Sequence, residues 1–121
     1  MVETALSLSL LVFTILGGAD MARAFAAQLG VQNAARAGAE AAVTRVATTD
    51  PQIVSYATDE LGSVAGVDPA AATISVTHTT GPGGESLVNV RVQYTYRTLV
   101  PWPFLPNTLS LDKTATFRNY P

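Results

Sequence analysis

The chain has 121 residues, a formal charge of −2, only 13% charged side chains and no cysteine. That is one domain's worth of residues, too apolar to be disordered. Its acidic balance, with Lys113 and the arginines scattered over three regions, excludes nucleic acid as a main partner. The lack of cysteine excludes a disulfide framework and thiolate chemistry.

The first stretch sets the problem. Glu3 is followed by an uncharged run from Thr4 to Ala19, and Asp20 and Arg23 are the first charges after it. No proline interrupts the chain before Pro51, so the pattern predicts one helix from Glu3 to about Ala47, roughly 65–70 Å long. Its first third is apolar all round. Such a helix is buried in a membrane, a large core or copies of itself, and this chain is too small to wrap it. Thr4 to Ala19 covers roughly 24 Å, against about 30 Å for a bilayer core, so a span needs the alanines beyond Arg23 as well. A carboxylate in place of a basic n-region, with no small-residue cleavage site after the apolar run, is unlike an ordinary signal peptide.

Beyond Asp20, Met21, Phe25, Leu29, Ala35, Ala39, Val43 and Val46 recur at helical steps and are read as one apolar stripe. Arg36 and Glu40 stand four apart and are placed to pair on another face. Asp50 is predicted to cap a second helix with Pro51 in its first turn. Ile53, Val54, Ala57, Leu61 and Val64 form its stripe, Gly66 closes it, and Asp68-Pro69 turns the chain.

From Thr73 the period becomes two. Ile74, Val76 and His78 alternate with hydroxyl residues, and Gly81-Pro82-Gly83-Gly84 makes a turn. Val88, Val90, Val92, Tyr94 and Tyr96 then alternate with polar residues. The prolines of Pro101-Trp102-Pro103-Phe104-Leu105-Pro106 cannot pair in a central strand, so this is a stiff connection. Leu109, Leu111, Ala115 and Phe117 mark a last strand. The expected fold is α+β: a long N-terminal helix, a short second helix and a small antiparallel three-stranded sheet, with residues 1–25 as an apolar assembly helix and 26–121 as a globular head. The apolar face of the sheet needs a cover, and the helices supply it.

This order of parts resembles a pilin, and more narrowly the TadE-like pilins and pseudopilins of the tight-adherence branch of the type IV filament superfamily. Val2-Glu3-Thr4-Ala5-Leu6 is similar to that family's Val-Glu-Phe-Ala-Leu opening. Gly18-Ala19-Asp20-Met21-Ala22-Arg23-Ala24 resembles its Gly-x-Glu-x-x-Arg-Ala segment, with Asp20 where glutamate is usual. Gln32-Asn33-Ala34-Ala35-Arg36-Ala37-Gly38-Ala39 resembles its Asn-Ala-Ala-Arg-x-Gly-Ala run. Val90 to Tyr96 and Leu109 to Arg118 resemble its two terminal strands. The glutamate is third here, whereas many type IV pilins carry it fifth in the mature chain.

The resemblance implies a structural subunit of an extracellular, adhesive helical filament, held in the cytoplasmic membrane before the pilus assembly machinery extracts it. Its main partner would be itself; no cofactor, metal or catalysis is implied. The alternatives are a minor pseudopilin that primes or caps a filament or secretion machine, and a membrane-anchored binding module. Glu3 is assigned to docking on a neighbour, where it needs a cation, either an N-terminal amine or Arg23; otherwise it is a helix-start carboxylate favoured by the dipole. Asp20 and Arg23 form either a local pair or an intersubunit one. Leu6, Leu10, Phe13 and Leu16 pack the filament core. Gly17 and Gly18 are either close-packing residues or a hinge. Trp102 and Phe104 form either a lid on the sheet or an exposed adhesive patch. His78 is a lone exposed histidine, and Asp59-Glu60 a solvated face.

Overall fold

The protein is described by a computed structural model over residues 1–119. Helix α1 spans Val2–Val43 and α2 spans Asp50–Gly62; a 3-10 turn at Pro69–Ala71 leads into β1 (Thr73–Thr80), β2 (Ser86–Arg97) and β3 (Thr108–Asn119). The strands form one antiparallel sheet in the order β1-β2-β3, with Val76 opposite Val90 and Val90 opposite Ala115. The expected α+β fold of two helices and a three-stranded sheet is the one observed.

Alanine is the commonest residue of α1 and has the highest helix propensity. Its small side chain also lets the sheet approach closely. Ala27, Val31, Ala34, Ala35 and Ala39 are buried against Val88, Val90, Val92, Tyr96 and Leu111 of the sheet and Ile53, Ala57 and Leu61 of α2. Gly38 lies where α1 packs closely on both β2 and α2. A Cβ there would stand 3.1 Å from Val90 Cγ1 and 3.3 Å from Ala57 Cβ. Lys113, opposite Val92, interrupts the apolar face of β3.

Helix α1 ends earlier than expected, at Val43 rather than near Ala47. Arg45 takes a left-handed φ of 61°, and Ala47 N–H returns to the Ala41 carbonyl at 3.0 Å. That backbone reversal stops the helix even though no glycine or proline is present. Thr49, rather than Asp50, occupies the cap position of α2, and Asp50 instead receives His78 Nε2 at 2.8 Å. Helix α2 closes at Gly62, four residues before Gly66, which carries a left-handed φ of 80° in the following turn.

The single apolar stripe on α1 is corrected. Ala35 and Ala39 are buried, but Met21 is 76% and Phe25 62% exposed, and Leu29 also faces outward. At about 100° per residue Met21 and Ala39, eighteen residues apart, return to the same angle, so the difference is one of height: the buried arc is wider from Ala34 to Ala42, where Ala35, Ala39, Ala41 and Ala42 are all buried, than from Asp20 to Val31. The buried face runs through Asp20, Ala27, Val31, Ala34 and Gly38. The Arg36–Glu40 pair is not made: the ion pairs among the described residues are His78–Asp50, Arg91–Asp112 and Arg118–Glu85.

Candidate functional site

The apolar part of α1 extends beyond the head with almost nothing covering it. Leu6, Leu10, Phe13 and Leu16 are all exposed, as is Glu3 at the tip. Ser9 and Thr14 turn their hydroxyls back to the carbonyls of Ala5 and Leu10, each at 2.8 Å, so these two polar groups are satisfied by the helix itself. The helix continues unbroken through Gly17 and Gly18.

The head meets this helix at Asp20, whose side chain is only 6% exposed. Residues 98–107, which join β2 to β3, wrap onto it. The backbone N–H of Leu99 donates to Asp20 Oδ1 at 3.0 Å, that of Val100 to Oδ2 at 3.4 Å, and the Trp102 indole N–H to Oδ2 at 3.0 Å. The Tyr96 hydroxyl donates to the Asp20 carbonyl at 3.4 Å. A carboxylate removed from water in this way needs several donors, and the loop provides them because Pro101, Pro103 and Pro106 stiffen it. Asn107 braces the loop from within: its Oδ1 accepts from Trp102 N–H at 2.9 Å, and its carbonyl accepts from Thr98 N–H at 3.0 Å.

Asp20 and Arg23 are thus not brought together as a local pair. Asp20 is occupied by the loop, and Arg23 turns toward Gly66, its Nη2 lying 2.8 Å from where a Gly66 Cβ would be. Arg23, Arg97, Tyr94, Tyr96 and Leu99 line an open cleft of about 560 Å³ beside the clasp.

Trp102 and Phe104 separate into different environments. Trp102 is half-buried, but it covers α1 rather than the sheet: its ring lies 6.5 Å from that of Phe13 and rests against Gly17, where a Cβ would be 3.7 Å from Trp102 Cη2. Phe104 is 95% exposed. The lid expected over the sheet is therefore a clasp on the helix. The N–H groups of Leu99 and Val100 gave no signal in the sequence, since nothing local to them points to Asp20, some eighty positions earlier.

Residues 1–40 match the family model of the TadE-like protein. No curated protein and no solved structure matches the chain. Over its first 40 residues the chain is TadE-like, consistent with a protein associated with the Tad pilus. The match ends within α1, so the likeness of the strands rests on their sequence alone.

Proposed function

We propose that the protein is a structural subunit of an extracellular, Tad-type helical filament, assembled through α1 after residence as a single-span protein in the cytoplasmic membrane. The observation that carries this reading is the uncovered apolar face of α1, which continues past the charged boundary through Met21 and Phe25. Burying each large side chain there is worth on the order of 1.5–3 kcal/mol relative to water. Relative to lipid the gain is smaller, so close packing and polar pairing decide assembly, as they do between membrane helices.

In the filament Leu6, Leu10, Phe13 and Leu16 pack among the same residues of neighbours. Glu3 needs a cation there, and Arg23, which has no ion-pair partner within the subunit among the described residues, is one donor for it. The head lies outside. The same patch meets a different patch on the next copy, so the contact does not close and a fibre results. The test is electron microscopy of material sheared from cells, with the intact mass of the subunit. Uniform filaments built mainly from this chain are expected. Its confinement to the membrane fraction, or its presence only as a trace component of filaments made of another chain, would overturn the bulk-subunit reading and leave an anchored module or a minor pseudopilin.

A further inference from the structure

The loop that clasps Asp20 carries more apolar surface than the clasp requires. Leu99 is 63%, Phe104 95% and Leu105 64% exposed, and all belong to the connection of residues 98–107. Their height along α1 is fixed by Trp102, which touches Phe13 and Gly17. Phe13 lies seven residues before Asp20, about 10 Å down the helix axis. If Thr4 to Ala19 lies in hydrocarbon, the Trp102 ring, between the levels of Phe13 and Asp20, lies just inside its edge, and no layer of water separates head from bilayer.

We infer that residues 98–107 form a membrane-seated collar: before assembly the loop sinks into the bilayer interface beside α1, with Arg23 and Arg97 at the level of the lipid phosphates. This rests on the membrane-anchored stage of the proposed function. Three observations converge on a phospholipid surface as the partner. The loop is continuous with the apolar helix, so whatever solvates Phe13 also reaches Trp102. Its composition, one tryptophan with Phe104, Leu105 and three prolines, is that of an interfacial anchor, where an amphipathic ring holds the headgroup level. The N–H groups of Leu99 and Val100 are satisfied by Asp20 and that of Trp102 by Asn107, which lowers the cost of placing this part of the loop next to lipid.

The charge placement fits the same depth. Arg23 is three residues beyond Asp20, about 4.5 Å up the helix, and the headgroup layer extends about 5–7 Å beyond the hydrocarbon edge. Arg97 shares its cleft, and the nearby Asp68 carboxylate is engaged with the Ala70 N–H at 3.0 Å. Two guanidinium groups at that height suit phosphate oxygens.

The chain has no cysteine and a single tryptophan, so depth can be read at chosen places on the full protein. Phe104→Cys carries an environment-sensitive fluorophore in one sample, and Pro82→Cys in another. Pro82 is in the β1–β2 turn, at the far end of β2 from residues 98–107. Both samples are reconstituted into phosphatidylcholine vesicles, with and without a bromine-labelled acyl chain. The expected result is a blue-shifted label at position 104, quenched by bromine near the glycerol more than by bromine at the chain end, with Trp102 quenched likewise and the label at 82 unaffected. Arg97→Glu is expected to raise the loop and reduce quenching at 104 while helix content is unchanged. Vesicle flotation separates the two readings. Protein that floats but shows a water-exposed label at 104 overturns the collar alone; protein that does not float overturns the membrane-anchored stage and the collar with it.

Discussion

The indole N–H of Trp102 donates to Oδ2 of Asp20 at 3.0 Å, closing a contact between residues 82 positions apart. Together with the N–H groups of Leu99 and Val100 it makes Asp20 the point at which the β2–β3 connection is fixed to α1. Asp20→Ala removes the acceptor and leaves three donors facing a methyl group. A buried donor left unpaired costs about 1–3 kcal/mol, and water reaches part of this loop, so the expected total loss is about 1–3 kcal/mol. Asp20→Asn keeps one acceptor oxygen and falls between. Denaturant titration in detergent gives the stability, and hydrogen exchange at Leu99 and Val100 shows whether the loop is what loosens. Unchanged protection of those two amides would show that Asp20 does not hold the loop.

Gly30 is where α1 meets the turn that follows α2. A Cβ at position 30 would lie 2.5 Å from Val64 Cγ2 and 3.3 Å from Val64 Cβ. Gly30→Ala gains about 1 kcal/mol of helix propensity but overpacks this contact, at a cost of about 1–3 kcal/mol. Net destabilisation is expected, and Val64→Ala is expected to relieve it in the double variant. A double-mutant cycle by denaturation reads the coupling directly. Additive single effects would mean that Val64 moves aside without cost.

The elements themselves were legible because their periods are local. Val88 to Tyr96 alternates so regularly that β2 and its inner face followed from the sequence, and the glycines of residues 81–84 marked the turn. What failed was the assumption that one face is covered along its whole length. Met21 and Ala39 lie at the same angle around the helix, yet the buried arc widens only from Ala34 onward and leaves Met21 and Phe25 bare. The end of α1 was missed because Arg45 adopts a left-handed conformation that an arginine seldom takes, at roughly 1–2 kcal/mol. Asp20 looked like a boundary charge because its partners lie in a loop whose path only the closed sheet determines. Trp102 was read as a lid on the sheet or an exposed patch, whereas it rests on Phe13 and Gly17 of α1.

On the outer face of the sheet Arg91 Nε donates to both oxygens of Asp112, at 2.9 and 3.2 Å. These hydrogen bonds hold the Asp112 carboxyl below its usual value. A carboxylate whose folded pKa is lowered adds stability that is complete above its unfolded value and is lost as pH falls through the folded one. The β2–β3 pairing is therefore expected to weaken on acidification below the ordinary carboxylate range, and Arg91→Gln is expected to flatten that acid limb while leaving the neutral-pH fold in place. The pair is half-exposed, so the effect is small and falls with added salt. Thermal melts across acidic pH at low and high salt check it; an acid limb of the same slope in Arg91→Gln would assign the dependence to other carboxylates.

Gly17 and Gly18 are neighbours in sequence with opposite surroundings. A Cβ at Gly17 meets the Trp102 ring at ordinary contact distance, 3.7 Å, whereas one at Gly18 has nothing within 4 Å. Gly18→Ala is therefore expected to stabilise α1 by about 1 kcal/mol and to leave Trp102 emission unchanged, while Gly17→Leu displaces the ring and shifts that emission. The two variants also test the hinge. Bending of α1 during extraction from the bilayer draws on the backbone freedom that glycine supplies and alanine removes. Under that reading, Gly18→Ala lowers the yield of sheared filaments even though the subunit itself is more stable. A yield equal to that of the unaltered chain would reduce Gly18 to a small residue on an open face, and α1 would act as a rigid rod throughout assembly.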